Sequence, residues 1–275
     1  MRRGARLTAA AALLVAACLY AAPVALMVAG SLKPAPRVLA EAGGWRAFDL
    51  TGATLTAYHT CLAQVGFLRF LANSALISGA VVALGLVVNG GAGYALARLD
   101  WPGRRLLLGV VLAVMVVPFE AIAVPLFYGA AILGLRDTYL VQVVPFVANA
   151  FSIYLFYSFF RTLPRELEEA AWVDGASTLR CLVEVVVPAA APVAATVAVL
   201  TLLTQWGSYL WPLLVTSGPR VRPLPVALAT LYTLPPRDWS AILAFGVMMA
   251  APPLVLFLVF QGAFLRGVAA GGGGR

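Results

Sequence analysis

Few side chains in this sequence could carry out chemistry. Among 275 residues there are eleven acidic residues, three cysteines, one histidine and one lysine. The lone histidine, His59, excludes an HExxH metal motif, and Lys33 precedes a proline, so the Gly-Lys-Ser/Thr of a phosphate-binding loop is absent. The cysteines lie far apart and indicate neither a disulfide framework nor a zinc site: Cys18, Cys61 and Cys181. We therefore predict no catalytic residue and no metal ligand.

The acidic residues are concentrated in one polar stretch between apolar segments. Residues Pro164–Pro188 contain five of the eleven: Glu166, Glu168, Glu169, Asp174 and Glu184. Pro164 fits the first turn of a helix, after Thr162 or Leu163 as the cap, and the glutamates lie near the positive end of its dipole. Gly175 ends this helix in the left-handed conformation, and Ser177 caps a second helix that runs to Pro188. This stretch predicts a helix-turn-helix that suits contact with a soluble partner.

Composition places the chain in a membrane. It is 62% hydrophobic and 11% charged, whereas a soluble domain carries about 25% charged residues. A soluble core cannot bury that much apolar surface, so we predict an integral membrane protein that contacts lipid. The net charge of +8 does not indicate a nucleic-acid partner, because the arginines mostly flank apolar stretches, as the positive-inside rule expects.

Apolar stretches of about 20 residues are long enough to cross a bilayer as helices. Six such stretches predict an all-α integral membrane fold with six transmembrane helices: Leu7–Gly30, Phe67–Ala97, Leu106–Tyr128, Tyr139–Phe160, Ala189–Val215 and Trp239–Leu265. The first also resembles a signal peptide, with Val15-Ala16-Ala17-Cys18 like a lipoprotein cleavage box, but its apolar run continues past Cys18. We expect a retained span at residues 1–30, an external loop at 31–66, a five-helix core at 67–265 and a disordered Gly-rich cytoplasmic tail at 266–275.

The polar stretch resembles the EAA loop of ABC importer permeases. The resemblance rests on Glu169-Ala170-Ala171 and Asp174-Gly175-Ala176-Ser177, with Pro188 and Pro192 after them. It extends along the chain to other segments: Asn73-Ser74, Tyr94-Ala95-Leu96-Ala97-Arg98, Pro118-Phe119-Glu120 and the run Trp206 to Leu213. Gly207 departs from the family's asparagine, and the tail lacks its closing Lys-Gly.

In that family the loop docks into a groove of a cytoplasmic ATPase and couples ATP hydrolysis to transport. The resemblance therefore implies that residues 161–188 form a cytoplasmic coupling loop between the fourth and fifth transmembrane helices. It assigns coupling roles to eight residues: Glu168, Glu169, Ala170, Ala171, Asp174, Gly175, Ala176 and Pro188.

The resemblance also implies a function and partners. The chain would be the permease subunit of a bacterial ABC importer for a sugar or related solute, and not itself an enzyme. Its partners would be a second homologous permease, two cytoplasmic ATPase subunits and an external solute-binding protein. The permease would need no cofactor, since the ATPase binds ATP and magnesium. It would span the cytoplasmic membrane with both termini inside.

Two other functions are alternatives to an importer permease. A stand-alone secondary transporter often has internal repeats and buried ionisable residues, but no convincing repeat is visible here and Glu120 is the only acid within a predicted span. An integral membrane enzyme would need a cluster of histidine, cysteine or paired carboxylates, and the predicted spans contain none.

Polar residues within the spans suggest a path for the solute. Thr201, Thr204, Gln205 and Ser208 recur at helical spacing on the fifth span, and Gln142, Asn149 and Ser152 do so on the fourth. Sugars need hydrogen-bond partners and flat aromatic surfaces. Tyr209 could provide an aromatic surface, and Glu120 could provide a hydrogen-bond acceptor. The candidate path residues are Glu120, Asn149, Thr204, Gln205, Ser208 and Tyr209. The alternatives are hydrogen bonds between packed helices and, for the aromatic residues, a belt at the membrane surface.

The predicted topology can be tested with reporter fusions. Fusions at Ala42, Gly103, Asp174 and Pro236 should report outside, inside, inside and outside, because the arginine-rich loops face the cytoplasm. A reporter at Asp174 that reads outside would contradict the coupling assignment.

Overall fold

The computed structural model describes the backbone of residues 2–233 and 235–272, and the side chains of residues 8–233 and 235–258. Within these ranges the regular structure is helical. The α-helices are, in chain order, α1 (Arg2–Ser31), α2 (Ala35–Ala40), α3 (Thr56–Thr60), α4 (Phe67–Arg98), α5 (Arg104–Val114), α6 (Phe119–Ile132), α7 (Tyr139–Val147), α8 (Ala150–Thr162), α9 (Glu166–Val173), α10 (Thr178–Cys181), α11 (Val187–Ala189), α12 (Ala191–Trp206), α13 (Leu210–Val215), α14 (Leu224–Thr233) and α15 (Trp239–Gly272). A 3₁₀ turn lies at Gly44–Phe48, and π turns lie at Cys61–Val65 and Leu182–Val186.

Several helices match the predicted spans. Four described stretches are long and apolar enough to cross a membrane: Thr8–Ser31, Phe67–Arg98, Tyr139–Thr162 and Trp239–Leu258. They coincide with the first, second, fourth and sixth predicted spans. Two more are long enough only if bent helix pairs are joined: α5 with α6, bent by 102°, and α10–α11 with α12, bent by 72°. The described residues therefore support four to six spans.

The third and fifth spans are not the continuous helices that we predicted. Pro118 lies between α5 and α6 with extended backbone angles, because proline lacks an N–H and disfavours helical geometry in the residue before it. The fifth predicted span ends as α12 at Trp206 and resumes as α13 at Leu210. Gly207 is a poor helix former, and the Pro212 ring would clash with the carbonyl of Ser208 in a continuous helix.

The described residues divide into two compact parts. One comprises those of Met1–Leu71 and Leu224–Val255. Within it, Lys33 is 3% exposed and donates to the Glu41 carboxylate over 2.9 Å and to the Arg46 carbonyl over 2.7 Å. Arg37 also bonds Glu41, at 2.6 Å, and these two bonds hold the pKa of the Glu41 carboxyl below its ordinary value. The predicted external loop is thus organised by charge pairs, and His59 in the same loop is exposed.

The other part comprises the described residues of Ala72–Pro223 and Leu256–Arg275. Here α4 packs closely against α8, because Gly93 of α4 has no side chain. A Cβ atom added at Gly93 would lie 2.5 Å from the Phe156 Cβ and 2.9 Å from the Tyr157 amide nitrogen. The same interface buries Tyr94, whose ring meets that of Phe160 edge-on at 5.6 Å.

The predicted Gly-rich tail, residues 266–275, overlaps the last residues of helix α15. Helix α15 continues through Gly272, so the backbone there is helical. The rest of the predicted tail, residues 273–275, lies outside the described residues.

The close contact at Gly93 predicts a stability difference between two glycines of α4. Gly93→Ala should lower stability by about 1–3 kcal/mol, because its methyl group overpacks the α4–α8 interface. Gly91→Ala is the matched control, since a Cβ there meets nothing within 4 Å. Thermal melting of the purified complex should show a lower Tm for the first variant alone; equal Tm values would refute the close packing.

Candidate functional site: the coupling loop and a polar cavity

The turn after α9 is a Schellman motif. Gly175 has φ of 82°, and its amide donates to the Trp172 carbonyl over 3.0 Å. The Ala176 amide donates to the Ala171 carbonyl over 2.9 Å. These are the two bonds that define this helix ending, in which glycine takes the left-handed position without steric cost. The predicted helix end at Gly175 is therefore confirmed, although α9 begins at Glu166 and not at Pro164.

The second helix also begins as predicted. The Ser177 hydroxyl accepts a hydrogen bond from the Arg180 amide over 3.3 Å and so caps α10. The helical path continues through the π turn at Leu182–Val186 into α11, which contains Pro188. One face of this path is buried, with Cys181 and Val186 both at 0% exposure. The loop is therefore a compact pair of helical segments joined by a defined turn.

The outer face of the coupling loop combines charge with apolar side chains. Glu169, Ala170, Asp174, Gly175 and Pro188 are exposed, and Ala171 and Ala176 are half-buried. Large apolar side chains are also exposed there, which the sequence analysis did not single out: Leu167, Trp172, Val173, Leu179, Val183 and Val187. Val173, beside the turn, is 87% exposed. Contiguous exposed apolar groups rimmed by polar ones are typical of a protein-binding surface.

Glu168 differs from its neighbours, because its side chain faces inward. It is 3% exposed, accepts a hydrogen bond from the Tyr94 hydroxyl over 2.9 Å and lies 3.2 Å from the Arg98 Nε. The Glu168 carboxylate therefore does not lie on the exposed face of α9, and its predicted coupling role stays a prediction. A cavity of about 50 Å³ adjoins Glu168, Tyr94 and Arg98, and Glu169, Arg165 and Trp172 also line it.

Two of the candidate path residues line a small cavity with five polar side chains on its wall. Gln205 and Ser208 are half-buried and face a space of about 10 Å³, together with Ser74, Ser78 and Gln142. The rest of the wall is apolar: Ile77, Phe146, Trp211, Pro212 and Pro223. Such a volume accommodates about one water molecule. The Gln142 amide nitrogen donates to the Val221 carbonyl over 2.8 Å, whereas its buried Oε1 has no partner among the described residues.

The other candidate path residues do not line this cavity. Asn149 and Gln142 do not share one helical face, because Asn149 is the N-cap of α8 and accepts from the Ser152 amide over 2.9 Å. The Thr204 hydroxyl donates to the Leu200 carbonyl of its own helix over 2.9 Å.

The predicted regular spacing also fails at the end of α12. Ser208 and Tyr209 lie beyond its last residue, so the predicted helical relation to Gln205 is wrong. Tyr209 and Glu120 are exposed. Trp211, which also borders the cavity, is 1% exposed and donates to the Val141 carbonyl over 2.8 Å. It is therefore a core residue.

Metal chemistry finds no support in the described part of the chain. Its histidine, cysteine and acidic side chains form no group of three that could hold an ion.

Comparison with known proteins points to one family. The family model for the binding-protein-dependent transport system inner membrane component matches residues 89–270. The chain is 33% identical over 226 residues to the arabinooligosaccharides transport system permease protein AraQ of Halalkalibacterium halodurans, covering 82% of this chain and 81% of AraQ. It is 32% identical over 221 residues to the sulfoquinovosyl glycerol transport system permease protein SmoH of Agrobacterium fabrum, covering 80% and 78%.

A solved structure shows similarity over almost the full chain. It is the crystal structure of a bacterial ABC transporter involved in the import of the acidic polysaccharide alginate. The TM-score is 0.82 at 25% sequence identity, covering 95% of this chain and 97% of that one.

Proposed function

This chain belongs to the family of binding-protein-dependent transport system inner membrane components and is a permease subunit of an ABC importer; from that premise we propose that α9 and α10 dock into its ATPase. Family membership implies another permease, an ATPase and a solute-binding protein as partners. We further propose a stoichiometry of one homologous permease and two ATPase subunits, which alone bind ATP and magnesium.

The observation that carries the docking proposal is the outer face of the coupling loop. Val173, Trp172 and Leu179 lie within a few residues of the hydrogen-bonded turn at Gly175, and each is a large apolar side chain that is exposed. Glu169 and Asp174, in the same segment, are also exposed and can direct the approach of a basic partner groove. An apolar centre with a charged rim is the usual composition of a specific interface.

Orientation follows from this docking. An ATPase on the cytoplasmic side requires the coupling loop on that side, and with six spans both termini would be cytoplasmic as well. A stand-alone secondary transporter receives no support, because the relatives are subunits of binding-protein-dependent systems.

The Schellman turn provides a test of coupling. Gly175→Val should impose a strain of about 1–2 kcal/mol, because an L side chain resists positive φ, and should alter the turn that the ATPase contacts. We expect solute-stimulated ATP hydrolysis by the purified complex to fall roughly tenfold, within the usual range of coupling between sites. Gly175→Asn should retain more activity, since asparagine tolerates this conformation.

Gly134 is the matched control for backbone strain. It ends α6 in the same motif, with φ of 65°, and a Cβ at either glycine meets nothing within 4 Å. Gly134→Val should therefore reduce stability to a similar extent but preserve coupling. If both valine variants lose stimulation equally, Gly175 is a structural residue only and the docking proposal loses its support.

The transported solute is, we propose, a carbohydrate or a polyol derivative, as in the relatives named above. The path would pass Gln205 and Ser208, the two candidate residues that line the polar cavity. In the described conformation the cavity is far too small for a sugar, so the path must widen during the transport cycle.

Cysteine labelling can test this path. In a background lacking the three native cysteines, Gln205→Cys and Ser208→Cys should react with water-soluble thiol reagents, at rates that change when ATP is trapped. Leu203→Cys is the control, since this apolar residue of the same helix is 44% exposed and should face lipid or a partner. Labelling at Gln205 and Ser208 no faster than at Leu203 in every state would identify the polar residues as helix-packing contacts.

A further inference from the structure

A single guanidinium connects three segments at one end of α4. Arg98 is the last residue of that helix. One terminal nitrogen of its guanidinium donates to the Leu163 carbonyl, which follows α8. Its Nε lies 3.2 Å from the Glu168 carboxylate on α9, as an ion pair without hydrogen-bond geometry. Tyr94, one turn earlier on α4, donates to the other Glu168 oxygen over 2.9 Å. The end of α4, the end of α8 and the start of the coupling loop are thus joined by one polar cluster.

This cluster is buried, unlike the other ion pairs near the coupling loop. The side chains of Arg98 and Glu168 are 6% and 4% exposed, whereas those of Arg180 and Glu184 are 64% and 57% exposed. Exposed pairs contribute little to stability. A buried charge is costly when its partner is removed, so a buried pair fixes the geometry of the two segments that supply it.

The position of Glu168 on α9 determines how the cluster can transmit movement. Glu168 is held inside while Glu169, the next residue of α9, is exposed. One face of this short helix is therefore bound to α4, and another is free for the ATPase. Displacement of α9 would act on the end of α4 through these two contacts, and on α8 through the ring of Tyr94, which packs against Phe160.

We propose that Glu168 is a positioning residue that fastens the coupling helix to α4 through Arg98 and Tyr94, so that movement of the docked ATPase is transmitted directly to α4. This inference rests on the proposed docking of α9. It assigns Glu168 a role distinct from that of the exposed residues, which would contact the ATPase themselves.

The test measures transmission separately from docking in the complete transporter, reconstituted in lipid nanodiscs. Glu168→Gln removes the charge but keeps the size of the side chain. The ATPase should still co-purify, because the outer face of α9 is unchanged. Solute-stimulated ATP hydrolysis per assembled complex should fall about tenfold, a typical magnitude for coupling between sites. Glu168→Asp, which keeps the charge, should recover part of the stimulation.

A distance measurement distinguishes positioning from folding. Spin labels at Val87 on α4 and Glu166 on α9, both exposed, should give a narrow distance distribution in the wild-type complex with and without trapped ATP. In Glu168→Gln the distribution should broaden. Should that variant fail to assemble, Tyr94→Phe removes a single hydroxyl donor, leaves the ring in place and should reduce stimulation in the same assay.

Glu184→Gln is the control for loss of a carboxylate from the same loop, and it should behave as wild type. Normal stimulation and an unchanged distance in both Glu168→Gln and Tyr94→Phe would overturn the inference, as would reduced assembly with normal stimulation per assembled complex. Failure of the proposed docking is distinguishable, because Gly175→Val would then lose no more stimulation than Gly134→Val, whatever the result at Glu168.

Discussion

The breaks in the membrane helices leave backbone groups that need hydrogen-bond partners, and the compact part of Ala72–Pro223 and Leu256–Arg275 is organised to supply them. A bilayer offers no water to the backbone groups that a break sets free, so the protein must satisfy them itself. Between α7 and α8, the Asn89 side chain does so twice: it donates to the Val147 carbonyl over 3.0 Å and accepts from the Asn149 amide over 2.8 Å. The Gln142 amide and the Trp211 indole satisfy further carbonyls, of Val221 and Val141. Much of the polarity within the predicted spans therefore stabilises irregular backbone.

This use of polar groups explains which sequence predictions succeeded. The turn at Gly175 and the cap at Ser177 depend on a few neighbouring residues, so residue type and order were sufficient to predict them. Spacing along the fourth span was not sufficient, because the expected common face of Gln142 and Asn149 required an unbroken helix. The break is stabilised by Asn89, sixty residues before Asn149, and a local pattern carries no information about that contact.

Glu168 and Glu169 show the same limit at the candidate site. They are adjacent residues of one chemical type, and both follow the proline that suggested a helix start. What separates them is the end of α4, which supplies Arg98 and Tyr94 to one of them. The apolar residues of the outer face were overlooked for a related reason. In a chain this hydrophobic, an exposed Val173 cannot be recognised until its surroundings are known.

The two faces of α9 differ in how they can transmit movement. Apolar contact with an ATPase groove would resist separation, but it has little directional preference and would permit sliding or rotation. Hydrogen bonds weaken steeply when their angles change, so the bond from Tyr94 to Glu168 behind α9 resists both. If the ATPase docks as proposed, its movement against the outer face of α9 would therefore displace α4 in a defined direction. That helix also carries Asn89 and Gly93, which contact the α7–α8 break and α8. Movement of α4 would thus shift the Asn89 side chain, on which the backbone groups of the α7–α8 break depend for their hydrogen bonds. The break is therefore the place where a displacement of α4 can change the path of the neighbouring helices.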